Sequence, residues 1–283
     1  MKEAKIIARA PVSESGDGKK RLFSFSRKQL CIPYGVFLAL FVVFPLLLIV
    51  YNAFTDSDGG FTFQNFVRFF SDSTTITNLL MSLLIAFVTT VVCLLIAYPV
   101  AYILSRMRAA HSYILVMLFV LPMWINFVLR AMALRELLDL FGTLESYNFL
   151  NTVIGMVYDF LPFMILPLYT TLTKMDRSLE EAAADLGASR SRVFLKVTLP
   201  LSVPGMISGA MMVFLPTMSC YVITDTFGMG KIPLIGKLIE EQFSTLSNWN
   251  FGSAIAIVML IVMFITMLLT GGFKSENVRG GAL

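Results

Sequence analysis

The sequence predicts an all-α polytopic membrane protein with six transmembrane helices, and three observations predict it. The 283-residue chain is 57% hydrophobic and only 14% charged, with a mean hydropathy of +0.79, outside the soluble globular range. Its apolar residues fall into long blocks, and about 20 such residues cross ~30 Å of hydrocarbon at ~1.5 Å per residue. Lys and Arg are also shared unequally between alternate connections, which sets orientation.

Residues 1–30 are polar and patternless up to about Arg21, and read as a disordered cytosolic tail. Phe23, Phe25 and Leu30 among Arg27 and Lys28 form an interfacial lead-in. The first block, Cys31–Phe54, is a full span rather than a short signal core, so an uncleaved signal anchor is expected. The others are Asn78–Leu104, Tyr113–Leu134, Asn151–Leu172, Pro204–Thr224 and Phe251–Gly271. Residues 31–271 then make the transmembrane domain, and 272–283 a cytosolic C-terminal tail.

With the N terminus inside, seventeen of the 22 Lys and Arg are cytosolic, leaving Arg68, Arg130, Arg135, Lys231 and Lys237 outside. An even number of spans puts both termini in the cytosol. The outer loop Thr55–Thr77 has room for a short helix, and in Asp225–Asn250 the run Leu238–Phe243 suits one or two turns. Pro45, Pro99, Pro122, Pro162, Pro167 and Pro216 lie in or near spans, where each weakens or bends a helix. Cys31, Cys93 and Cys220 are scattered through apolar segments and read as small buried side chains. His111 has no ligand partners at metal spacing.

The stretch Ser178–Ser189 (SLEEAAADLGAS) breaks this pattern. It is a polar, alanine-rich helix between two apolar blocks, with neither a bulky apolar face nor a basic rim for the bilayer surface. Ser178 and Glu181 have capping-box spacing, and Glu180 and Glu181 suit the positive end of the helix dipole. Gly187 ends the helix. A second helical pattern starts near Ser189, and Pro200 is expected to end it. Such a helix–turn–helix can lie on the membrane surface or dock on a protein partner, and the missing apolar face favours the partner. No P-loop, HExxH or nucleophile elbow is present, so no catalytic site or cofactor is expected.

Glu181-Ala182-Ala183, Gly187, and Val197-x-Leu199-Pro200 resemble the EAA motif of ABC importer permeases, with Val197 where that family usually has Ile. Leu121–Arg130, Leu161–Tyr169, Asp185–Ser189 and Leu215–Asp225 resemble the first permease subunit of spermidine/putrescine importers (the PotB type), over roughly Leu30–Gly271. The outer connection after Arg130 is shorter than that family's. The resemblance implies a type I ABC importer permease fold and an EAA loop that docks on an ATPase through Glu180, Glu181, Ala182, Ala183, Asp185, Gly187, Leu199 and Pro200. It also implies a distinct second permease (PotC-like), a cytosolic ATPase dimer (PotA-like) and an extracytoplasmic polyamine-binding protein (PotD-like).

A polycation path needs acids and aromatic faces. Nine outer acids (Asp56, Asp58, Asp72, Glu136, Asp139, Glu145, Asp225, Glu240 and Glu241) against five outer bases steer cations to that side. The candidate path residues are Asp225, Tyr221, Asp159, Trp124 and Asn126. Tyr221 and Asp225 stand at i, i+4 and are expected to face one cavity. Asp159 suits either the path or a structural bond to another helix. Arg130 would repel a polycation, so it is expected at the headgroups or paired with an acid. Alternatives are a permease for thiamine, ferric iron or an oxyanion, and a membrane scaffold without transport; an oxyanion path should be basic, which the outer charge opposes.

Overall fold

The computed structural model describes residues 31–56, 58–142, 144 and 146–270. Both tails, and the readings attached to them, lie outside the described residues. Among the described residues, five helices are long and apolar enough to span a membrane, and a sixth span forms if one bent pair is counted together.

Residues 31–47 belong to one compact unit and the rest of the described chain to a second. The first unit holds α1 (Cys31–Leu38), a π turn at Ala39–Val43 and the start of α2 (Phe44–Ala53). Its side chains from Tyr34 to Leu47 are apolar and largely exposed, as a lipid-facing surface requires.

The second unit begins at Leu48. After α2, an antiparallel bridge joins Thr55 to Phe61, and the short helix expected in this loop is α3 (Gln64–Ser71). Asn65 Nδ2 donates to the carbonyls of Ala53 and Thr55, and Asn250 Nδ2 donates to those of Asn52 and Thr55. Asp72 caps α4 (Ser73–Arg106) by accepting from the N–H groups of Thr74 and Thr75. At 34 residues α4 is about 51 Å long, well beyond the hydrocarbon thickness, and Pro99 does not interrupt it.

Next come α5 (Ala109–Val120), a 3-10 turn at Leu121–Trp124, and α6 (Phe127–Leu140). The third apolar block is therefore two segments meeting at 96°, not one straight span. Helix α7 (Asn148–Lys174) carries Pro162 and Pro167 without breaking. The loop helices are α8 (Ser178–Asp185) and α9 (Arg190–Val193), followed by a π turn at Phe194–Thr198 and α10 (Leu199–Ser219). Helix runs unbroken from Arg190 to Ser219, which corrects the expectation that Pro200 ends it. Pro200 sits in the first turn of α10, just past the register change of the π turn, where its missing N–H is tolerated. The fifth block breaks instead at Cys220, and α11 (Tyr221–Gly228), α12 (Ile235–Ser244) and α13 (Trp249–Leu269) complete the chain.

Helices α4, α7 and α10 form the centre of this unit. Cys93, Ala97 and Ala101 recur every four residues along α4, giving a small-residue seam buried against Met164, Ile165, Leu168 and Val213. Gly205 and Gly209 place the same spacing on α10. A Cβ at Gly209 would lie 2.7 Å from Met164 Sδ, and one at Gly205 would lie 2.6 Å from Thr171 Oγ1. Lipid tails are as apolar as leucine, so close backbone approach rather than water exclusion holds such helices together. Toward the N-terminal end of α4, Ile235 N–H donates to Ser82 Oγ at 2.8 Å and seats α12 on α4.

Candidate functional site

Two spans break at facing positions. Pro122 stands in the 3-10 turn, and Asn126 restarts the chain by accepting the Val128 N–H on its Oδ1 at 2.9 Å. Opposite, α10 ends three residues after Pro216, Cys220 leaves helical geometry at ψ 87°, and Tyr221 opens α11. Broken helices at membrane depth are tolerated where they line a cavity. Here they enclose a cleft of about 620 Å³ lined by Trp124, Asn126, Arg130, Asp159, Phe160 and Tyr221, among others.

Four of the five predicted path residues, Trp124, Asn126, Asp159 and Tyr221, thus meet in one cleft. Trp124 is 84% exposed at its rim, whereas Asp159 is 3% exposed. Asp159 Oδ1 lies 2.8 Å from Arg130 Nη2, an ion pair joining α7 to α6 beside the break. Among the described residues, neither Asp159 oxygen receives a well-aligned hydrogen bond and Arg130 Nε has no acceptor. Coulomb attraction rather than a directed bond therefore links them, and Arg130 is paired with an acid as expected. Cys220 also lines the cleft and is half-buried, a correction to its reading as a packed core thiol; Cys93 is fully buried.

Asp225 departs from the expectation that it shares a cavity with Tyr221. It does not line the cleft. Its Oδ2 lies 3.0 Å from Lys237 Nζ on α12, and the same ammonium lies 3.1 Å from Glu240 Oε2 and 5.6 Å from the centre of the Tyr221 ring. The physical reason is a cation across the turn: Lys237 draws Asp225 toward α12. Hydrogen bonding to Asp225, then to Glu240, raises the Lys237 pKa above the ordinary lysine value.

At the opposite end of the bundle, α8 stands with Glu181, Ala182, Ala184, Asp185 and Leu186 in solvent. Gly187 takes φ +81°, a conformation that costs other residues a Cβ clash. Its N–H donates to the Ala184 carbonyl and the Ala188 N–H to the Ala183 carbonyl, the paired bonds of a Schellman stop. The capping box does not form. Arg177 is the N-cap, and the Ser178 N–H is held by Asp176 Oδ1 at 3.0 Å, so the serine is already inside the helix. Ala183 and Leu199 are half-buried and Pro200 is exposed.

Glu180 turns away from that outer face. Its Oε1 accepts from Arg106 Nη2, at the end of α4, and from Thr198 Oγ1 at 2.7 Å. Burial pushes the Glu180 carboxyl up, but the bonds from Arg106 and Thr198 outweigh it and hold the group below the usual glutamate range. Sequence reasoning missed Arg106, Thr198 and Lys237, because nothing local pairs residues that far apart. It also passed over Gly205-x-x-x-Gly209, which the small-xxx-small spacing could have flagged.

The fold and site define a helical membrane protein with a cleft between broken spans and a polar, solvent-exposed loop helix at one end. Residues 96–274 match the model of the binding-protein-dependent transport system inner membrane component family. The chain is 36% identical over 249 residues to the spermidine/putrescine transport system permease protein PotB of Haemophilus influenzae, covering 80% of this chain and 86% of that protein. It is 35% identical over 252 residues to the protein of the same name from Escherichia coli, covering 82% and 91%. Among solved structures, a bacterial ABC transporter that imports the acidic polysaccharide alginate superposes at a TM-score of 0.71 and 14% identity, over 89% of this chain and 95% of that one.

The chain belongs to the family of inner membrane components of binding-protein-dependent transport systems. It has the type I importer permease fold, and it is a transport component rather than an enzyme.

Proposed function

We propose that this protein is a transmembrane permease subunit of an ATP-driven importer for polyamines, forming half of the translocation path. The observation that carries this reading is the solvent-exposed EAA helix α8 between two spans, in a chain 36% identical to a spermidine/putrescine permease. The cleft agrees in chemistry: aromatic faces at Trp124 and Tyr221 suit alkylammonium groups, and Asp159 offsets the Arg130 charge that would otherwise repel them. Asp225 and Glu240 add acid at the same end.

In this reading residues 31–271 are the permease domain, flanked by cytosolic tails. Glu181, Ala182, Ala183, Asp185 and Gly187 meet a cytosolic ATPase dimer, with Leu199 and Pro200 closing the loop. A second, distinct permease completes the path, and an extracytoplasmic binding protein delivers the substrate. Uptake of labelled spermidine and putrescine into vesicles holding the complete complex tests it. Uptake that requires ATP and binding protein is expected. Transport of an oxyanion or thiamine in place of polyamines would overturn the substrate assignment.

A further inference from the structure

Resting on the importer reading above, we propose that Glu180 is a positioning residue that transmits movement of α8 to the spanning bundle through Arg106, rather than a contact to the ATPase. The first turn of α8 carries two adjacent acids with opposite placements. Glu181 is exposed, while the Glu180 side chain is 15% exposed and ion-paired to the last residue of α4. The pair is one strand of a larger tie. Arg177 Nη2 donates to the Ser105 carbonyl at 2.9 Å, and Thr198 joins Glu180 to the π turn ahead of α10. The Arg106 guanidinium lies 4.9 Å from the Tyr102 ring centre, and Tyr98 and Tyr102 both hold Phe194 edge-on at 5.8 and 5.5 Å. Tyr98 OH and Ser202 Oγ, 3.0 Å apart, extend the tie to α10.

The Glu180–Arg106 contact reaches α4, 74 residues earlier in the chain, without passing through either covalent connection of α8, and the Arg177 bond to Ser105 ties the first of those connections to the same end of α4. Both connections are irregular: Met175–Arg177 on one side, and Leu186–Ser189 with Gly187 at φ +81° on the other. A push on the exposed face would be absorbed there unless a second link carried it. Arg106 supplies that link from the C-terminal end of α4, where the helix dipole favours a cation. Helix α4 packs on both α7 and α10, so a displacement delivered to Arg106 reaches the whole centre of the bundle.

The test compares substrate moved with ATP hydrolysed in proteoliposomes of the complete complex. Glu180→Ala and Arg106→Ala are each expected to lower labelled spermidine imported per ATP by about tenfold, within the usual span of coupling between sites, while the ATPase still co-purifies. The exchange Glu180→Arg with Arg106→Glu is expected to restore most of that ratio. An unchanged ratio in the single variants overturns the proposal. So does a fall in uptake and hydrolysis in proportion, or loss of the ATPase from the complex, since each makes Glu180 a docking or folding residue. An exchanged pair no better than the single variants overturns it as well. If the unaltered complex imports no polyamine, the importer reading itself fails, which is a separate result.

Discussion

The two ends of the bundle treat their charges differently. At the α8 end, charges are shared across an exposed surface: Glu181 and Asp185 face solvent, and the Glu180–Arg106 pair is only partly covered. In the cleft, Arg130 and Asp159 are at most 8% exposed and depend on one another. The fold of the first arrangement tolerates the loss of a charge, whatever its cost to coupling, because water replaces the partner. The second does not, because an ion buried this deeply and left without its partner has too little contact with solvent to replace it. The α8 end thus leaves its charges open to solvent, as the proposed docking on an ATPase requires, whereas the cleft uses its charges to hold a helix break.

The largest expected effect breaks the cleft. Arg130→Ala strands the Asp159 carboxylate, and about 3–5 kcal/mol of stability should be lost. Thermal unfolding of the purified complex would register this, and Arg130→Met with Asp159→Leu should recover most of it. Equal loss in the double variant would show that the pair is not the unit.

Next in size, Gly187→Pro forbids φ +81° and removes the N–H that bonds the Ala184 carbonyl. About 3 kcal/mol of local disruption should undo the stop and abolish uptake. Wild-type transport in that variant would contradict α8 as the docking element. Asp225→Asn comes third. It should weaken polyamine uptake several-fold, on the scale of about 1 kcal/mol for a charge-assisted contact, and leave assembly intact. Unchanged uptake kinetics would take Asp225 off the path.

The smallest effect is in pH. Because the folded pKa of Glu180 is depressed, its contribution is complete above the ordinary glutamate range and is lost only as pH falls through the lower folded value. Spermidine imported per ATP should therefore be flat between about pH 6 and 8. A decline within that window would mean that another group governs coupling.

Much of the protein was legible in its residues. The blocks that cross the membrane announce themselves by length and apolarity, which are properties of the chain alone. The α8 stop was also readable, since only glycine takes that backbone angle without strain. The faults in the reading have one origin. Ser178 looked like a cap, but Asp176 lay close enough to replace it. Pro200 looked like a terminator, but the π turn before it absorbed the missing donor. Pro122 and Pro216 marked weak points, yet the 96° turn and the facing of the two breaks depend on what packs around them.

The sequence by itself determined that the chain spans a membrane several times and where a polar helix interrupts its apolar blocks, because composition and local backbone preference decide these. Only the tertiary structure decided which acid meets which base. Arg106 with Glu180, Arg130 with Asp159 and Lys237 with Asp225 are joined through space, and a Coulomb contact depends on the distance between two groups, not on their separation along the chain.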